Sequence, residues 1–185
     1  MQEMVHATYE SPIGKLALSA SPEGLVECTW IRAASNTDKR NASLESAADE
    51  KQSTSQAQAS VHLKSAQKWL DKYWNGHSKS YTGSLVIQGT EFQQSVWEQL
   101  RAIPFGQTKA YSELAVALDN SKGARAVAAA NRANQLCLFL PCHRVIGADG
   151  SLTGYSGGLR IKRALLLHEG VASPSPQATL FATGR

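Results

Sequence analysis

The stretch Leu136-Cys137-Leu138-Phe139-Leu140, closed by Pro141-Cys142-His143-Arg144-Val145, constrains this chain more than any other. Five consecutive apolar residues read as a buried strand or a buried core segment. The proline then ends any regular pairing. Directly after it stands a thiol at the edge of a core, with an imidazole and a guanidinium next to it. A thiolate is the nucleophilic form of cysteine, and it forms near neutral pH only beside cationic groups. Cys142 is therefore the candidate reactive atom.

The rest of the chain limits what that thiol can be. Its 185 residues make one domain or two small ones. No apolar run approaches the ~20 residues of a membrane span, and the N-terminus lacks a secretory pattern. The expectation is a soluble protein inside the cell that makes no membrane contact, in the cytoplasm of a prokaryote or the nucleus of a eukaryote. Three cysteines, Cys28, Cys137 and Cys142, form no CxxC pair and no zinc-type spacing. They read as free thiols, and neither metal nor cofactor is implied.

Charge is unevenly spread. Residues 1–31 carry a net −3, residues 61–90 a net +3 and residues 91–170 another +3. Between 121 and 133, Lys122, Arg125 and Arg132 occur without an acidic residue. A basic patch near a thiol fits a surface that contacts phosphates.

Punctuation and periodicity divide the chain near Gly89-Thr90. Residues 1–89 read as an α/β domain with a small antiparallel sheet. Ser11-Pro12-Ile13-Gly14 opens its first ordered part. Strands at 15–20 and 25–31 are joined by Ser21-Pro22-Glu23-Gly24. A flexible insertion is expected at about 32–60, where Gly, Pro and aromatics are absent, with a loose surface helix over Ala42 to Ala59 as the alternative. A helix is expected at 61–74, and Leu85-Val86-Ile87 reads as one more strand or extended segment. Residues 90–170 read as a mainly helical domain. Thr90 caps a helix with Phe92, Val96, Trp97 and Leu100 on one face. A short helix near 112–118, a turn at 119–121 and an alanine-rich basic helix from Lys122 to Ala133 outline a helix-turn-helix. The last helix runs from about Gly158 to His168, and residues 171–185 read as a tail.

On the basic helix, Lys122, Arg125, Ala129 and Arg132 share one face. Small residues such as Ala126 keep its surface thin. Such a helix approaches a nucleic-acid backbone closely and positions itself on phosphates without reading much sequence. The alternative is a packing helix whose charges face water.

Four chemistries compete for Cys142: an inert buried thiol, a metal ligand, a hydrolytic nucleophile, and a sulfur that accepts an alkyl group and keeps it. The string Pro-Cys-His-Arg is too polar for a core centre, and metal partners are lacking. A thioether has no easy leaving group, so the last chemistry stops after one event. His143 is the nearest candidate base, with His168 as its rival. Glu169 is a candidate to orient the imidazole, and equally a surface charge at a helix end.

These residues resemble the O6-alkylguanine-DNA alkyltransferases, the methylated-DNA–protein-cysteine methyltransferases. The resemblance runs from Ser11 to about Glu169. It is carried by Phe92-Gln93 with Val96-Trp97, Ile103-Pro104-Phe105-Gly106, Ala124-Arg125-Ala126-Val127, Asn134, Pro141 to Gly147, Gly154-Tyr155-Ser156-Gly157-Gly158 and Leu165 to Glu169. It implies single-turnover repair of O6-alkylguanine by a monomer that enters the minor groove of double-stranded DNA and extrudes the base. O4-alkylthymine is a further possible substrate. It assigns alkyl acceptance to Cys142, removal of the thiol proton to His143 through water and to Glu169, and phosphate crowding and proton donation to Tyr111. Arg125 becomes the finger that fills the vacated stack, with Lys122, Arg132, Ala124 and Ala126 also against DNA. Tyr155, Ser156, Gly157, Gly158 and Val145 line the substrate pocket, and Asn134 ties the basic helix to the active segment. The chain departs from the family pattern at Gln135, where proline is common, at Gln107, at Cys137, and in the longer 32–60 stretch. Cys137 is read as a core residue.

Overall fold

The computed structural model describes residues 3–31, 53–119 and 123–172. Contacts divide the chain into two compact units, Met1–Ile87 and Gln88–Arg185.

The first unit is a three-stranded antiparallel sheet under one long helix. Strands β1 (Val5–Ser11), β2 (Gly14–Ser21) and β3 (Gly24–Trp30) lie in the order β1-β2-β3. Ser11 pairs with Gly14 and Ser21 with Gly24, so two tight turns join them. The ordered part begins before Ser11, because β1 precedes the turn expected to open it. Apolar and polar residues alternate only weakly in β1, whose residues are half-buried and exposed by turns and never fully covered.

Helix α1 (Thr54–Trp74) covers the sheet with Ala59, Leu63, Ala66, Trp69, Leu70 and Tyr73. They meet Leu16, Leu18, Ala20, Leu25, Cys28 and Trp30 in one core. The flexible stretch expected to reach residue 60 is corrected here, since the helix starts at Thr54. The Ser53 side chain accepts from the Gln56 N–H and satisfies an orphan donor of the first turn. Residues 32–52 lie outside the described residues. Tyr9 donates to Asp71 at 2.8 Å and ties β1 to α1. Leu85 forms a single parallel bridge to Leu25 rather than a strand. Gly24 permits this approach, since a Cβ there would stand 2.7 Å from the Ser84 carbonyl oxygen.

The second unit is mainly helical. Helix α2 (Glu91–Arg101) opens with a full capping box, Thr90 and Gln93 each satisfying the other's backbone N–H. It buries Val96, Trp97 and Leu100. Each such aliphatic side chain contributes about 1.5–3 kcal/mol on burial. The Trp97 indole N–H donates to the Ala130 carbonyl at 2.9 Å, which fixes α2 against the basic helix. Strand β4 (Lys109–Ala110) leads directly into α3 (Tyr111–Ala117), which a turn at Leu118-Asp119 ends, and α4 spans Gly123–Arg132. Helices α3 and α4 pack on each other as the expected helix-turn-helix.

Residues 136–140 are buried as expected, but as a chain of turns rather than a strand. Leu140 N–H bonds back to the Leu136 carbonyl at 2.8 Å, and Leu138 sits at φ 72°. A 3-10 turn over Cys142–Arg144 runs into β5 (Val145–Ile146), which pairs in parallel with β4. Helix α5 (Leu159–His168) closes the unit. Residues 173–185 lie outside the described residues, and with them nearly all of the expected tail.

Candidate active site

Two elements deliver the site. The β4/β5 pair aligns Lys109 with Val145 and Ala110 with Ile146, so Tyr111, first residue of α3, starts beside the strand that comes after Cys142. Helix α5 then ends with Glu169 as its C-cap, against the same 3-10 turn.

Cys142 opens that turn and is 2% exposed. It is thus inside the core rather than at its edge, and His143 and Arg144 are buried with it. The expectation that Pro-Cys-His-Arg is too polar for an interior fails for a physical reason: the polar groups find one another. His143 Nε2 and Glu169 Oε1 lie 2.7 Å apart. Arg144 donates from Nε to Glu169 Oε2 at 2.8 Å and from its terminal nitrogen to Oε1 at 2.9 Å, a bidentate pair. A third Arg144 N–H reaches the Ile103 carbonyl at 2.7 Å. Gly106 N–H donates to Glu169 Oε2 at 3.1 Å. The Ile103-Pro104-Phe105-Gly106 turn thus supplies two arms of the network.

The charges are set by this arrangement. Burial alone raises the Glu169 carboxyl, but the hydrogen bonds and charges of His143 and Arg144 outweigh it and hold the group well below the usual carboxylate range. Burial pushes His143 down despite the pull of Glu169, so its ring is neutral near pH 7. A neutral ring facing an ionised carboxylate through Nε2 donates there and leaves Nδ1 as the acceptor. Nδ1 is buried and has no hydrogen-bond partner among the described residues. The site therefore presents one unused base.

The neighbouring Cys137 thiol and burial together hold the Cys142 thiol well above its usual value. The Asn134 side chain and the Lys162 charge act in the opposite direction. The net direction favours the protonated thiol. Asn134 also donates to the Leu140 carbonyl at 2.8 Å and accepts from Leu136 N–H at 2.9 Å. It stands just past the end of α4 and pins the turn segment in front of the thiol.

Tyr111 OH donates to the Gly154 carbonyl at 3.4 Å and accepts from Asn131 at 3.4 Å. Burial raises its pKa. Tyr155, Ser156, Gly157 and Gly158 form the loop before α5, and Ser156 Oγ lies 3.6 Å from Cys137 Sγ. Gly158 adopts φ 88°, a left-handed conformation suited to glycine. Val145 is fully buried, and its carbonyl accepts from Lys162. Arg125 and Arg132 are exposed on α4 beside the thinly covered Ala124, Ala126 and Ala129. Lys122 lies outside the described residues. His168 packs its ring edge-on to Phe105, at 6.4 Å between centroids.

Sequence reasoning misses three site residues. Lys162 is completely buried, donates to the Val145 and Thr153 carbonyls at 2.6 and 2.7 Å, and is lowered to about 8 by desolvation. Asn131 donates to the Cys142 carbonyl at 3.3 Å. Arg144 reads in the sequence only as a cation beside the thiol. A lysine and an asparagine within amphipathic helices carry no local mark that separates them from surface residues.

A buried thiol with a neutral imidazole and an ionised carboxylate, carried on a domain with a helix-turn-helix, defines a DNA-directed protein with a cysteine acceptor. Residues 91–171 match the family model for the 6-O-methylguanine DNA methyltransferase DNA-binding domain. The chain is 38% identical over 167 residues to a methylated-DNA–protein-cysteine methyltransferase of Methanosarcina acetivorans, covering 90% of this chain and 99% of that protein. It is 33% identical over 171 residues to the constitutive enzyme of Bacillus subtilis, covering 88% and 93%. Among solved structures, Mycobacterium tuberculosis OGT in complex with DNA superposes with a TM-score of 0.71 at 35% identity, covering 89% of this chain and 91% of that one. The chain belongs to the methylated-DNA–protein-cysteine methyltransferase family. It shares that family's two-part fold and its direct, single-use transfer of an alkyl group from DNA to a cysteine.

Proposed function

We propose that Cys142 is the sulfur that accepts the alkyl group, that it takes it from O6 of a guanine in double-stranded DNA, and that the base reaches it extruded through the minor groove. One observation carries this reading above the others: His143 Nδ1, buried and unpartnered among the described residues, on a ring whose other nitrogen is held by Glu169. Of the four chemistries, alkyl acceptance asks least of such a site. It needs one proton drawn from a thiol and one alkyl carbon placed in line, with no oxyanion hole and no second attack by water.

The steps balance. His143 takes the Cys142 proton through a bridging water, and Glu169 stabilises the imidazolium that forms. The sulfur attacks the alkyl carbon, the carbon–O6 bond breaks, and O6 becomes a carbonyl as Tyr111 supplies a proton to the guanine ring. Lys162 offsets the sulfur's charge before the attack. Arg125 fills the stack from which the base has left, and the glycine-rich loop at 154–158 takes the ring face. The protein acts as a monomer.

Intact mass after incubation with a methylated duplex tests the reading. One added methyl, on the peptide containing Cys142 and missing from Cys142→Ala, is the expected result. A folded protein that gains no mass, or that gains it on another residue, overturns it.

A further inference from the structure

Asn131 stands between Tyr111 and the Cys142 turn, and no step of alkyl transfer touches it directly. It lies on the covered face of α4 with Val127 and Ala130 and is 5% exposed. The Trp97 indole bonds the Ala130 carbonyl, which fixes α4 and with it the direction of the next side chain. From there Asn131 Nδ2 donates to the Cys142 carbonyl at 3.3 Å and to the Tyr111 hydroxyl at 3.4 Å. A carbonyl only accepts, so the Cys142 contact sets which end of the amide is nitrogen. Both amide protons are then committed, and Oδ1 is buried without a partner among the described residues. A buried acceptor without a bond costs free energy, which a leucine of similar size would not incur. What the amide contributes in return is its two donors.

We propose that Asn131 is the positioning residue of Tyr111: its N–H holds the phenol oxygen in place while the phenol protonates the departing guanine, and then faces the negative charge left on that oxygen. The inference rests on Tyr111 being the proton donor of the proposed function. Tyr111 directs its own proton to the Gly154 carbonyl at 3.4 Å. This bond is long for a hydroxyl donor and is readily exchanged for one to a base. When the carbon–O6 bond breaks, its electron pair goes to the guanine. The Tyr111 O–H bond breaks and an N–H bond forms on the ring, so the O–H pair stays on the phenol oxygen. Solvent then returns to that oxygen the proton that His143 took from Cys142, and no charge is left over.

The other groups around the phenol leave this task to the amide. Burial raises the phenol above its usual value, and the Thr153 and Asn131 side chains act against it. The Cys142 charge adds to the rise and the Arg132 charge opposes it. Lys162 lies over the Tyr111 ring, 5.7 Å from its centre, with donors directed to the Val145 and Thr153 carbonyls. Asn131 bonds the phenol oxygen and ties it to the backbone of the acceptor. Catalytic hydrogen bonds of this length tighten once substrate is in place.

Single-turnover transfer from methylated duplex by the full chain provides the test. Asn131→Leu keeps the volume and removes both donors. Its rate at saturating duplex should fall about tenfold, part of the ~10²–10⁴ that a general acid supplies. The half-saturating duplex concentration should stay near the wild-type value. Tyr111→Phe should lower the saturating rate as well, and the double variant decides between the readings. If Asn131 acts through the phenol oxygen, Asn131→Leu slows Tyr111→Phe less than it slows wild type. Equal slowing in the two backgrounds, or a loss confined to duplex affinity, overturns the inference and leaves Cys142 as the acceptor. Tyr111→Phe at the wild-type rate removes the acid from the proposed function and the inference with it. A wild-type protein that takes up no alkyl group sinks both, before any variant is made. Asn131→Ala, which only shortens the side chain, carries the same comparison if Asn131→Leu fails to fold.

Discussion

Glu169 shows how one side chain can serve stability and chemistry through the same bonds. It receives His143, Arg144 and Gly106 in an interior that excludes water. Replacing it by glutamine removes the charge and strands Arg144, which is 5% exposed. Breaking a buried ion pair in this way costs about 3–5 kcal/mol, so urea unfolding of Glu169→Gln should show a loss of that size. Single-turnover transfer should slow more than duplex affinity weakens, since the carboxylate touches the proton route and not DNA. Equal losses in both would make Glu169 purely structural. Acid titration gives a second check. The lowered Glu169 value means that its stabilisation is complete above the ordinary 4.5 and is lost as pH falls towards the folded value. His143, also lowered, adds a loss that begins as pH drops through 6.5. Wild-type protein should lose thermal stability in both windows and Glu169→Gln only in the upper one.

Local elements decide whether these residues meet. The Ile103-Pro104-Phe105-Gly106 turn is legible as a helix stop, yet its second task is hidden. Gly106 has φ 78°, and a Cβ there would stand 2.8 Å from the Glu169 carbonyl oxygen. Left-handed backbone costs a residue with a Cβ about 1–2 kcal/mol, and the clash adds displacement of Glu169. Gly106→Ala should therefore lower the unfolding free energy by at least that amount and slow transfer as well. Thr90→Ala is the contrasting case. It should cost about 1 kcal/mol through lost capping and leave transfer per folded molecule unchanged. The helices of the second unit are readable because their apolar periods agree with their packing. The turn segment at 136–140 mimics a strand because composition reports burial and not backbone direction. Leu138 at φ 72° and the Asn134 hydrogen bonds set that direction. Strand β1 is hard to see because its inward residues are only half covered. The His143–Glu169 contact joins residues 26 apart, a pairing that the residues offer only as one of two readings of Glu169, the other being a surface charge at a helix end.

At the scale of the molecule, charge and surface shape determine how DNA is held. The chain carries a net charge of +4 while residues 1–31 are net negative, so the positive field belongs to later segments. On α4, Arg125 and Arg132 are exposed with alanines between them, and Val127, Ala130 and Asn131 are buried on the other side. This division is what a phosphate-contacting helix requires: side chains short enough for close approach, cations at its margin, and a core face locked by Trp97. Binding should be strongly salt-dependent, since log affinity against log salt has a slope of about −0.9 per phosphate neutralised. Arg132→Ala should flatten that slope by about one contact. Arg125→Ala should do more than lose a contact if this side chain occupies the vacated stack, because extrusion then becomes less favourable. Its transfer from methylated duplex should fall well below wild type, while its reaction with a free O6-alkylguanine base, which needs no extrusion, stays near normal. Single-turnover rates on the two substrates measure the difference. Parallel losses on duplex and free base would show that Arg125 supports the site itself and leave base extrusion to other residues of the helix.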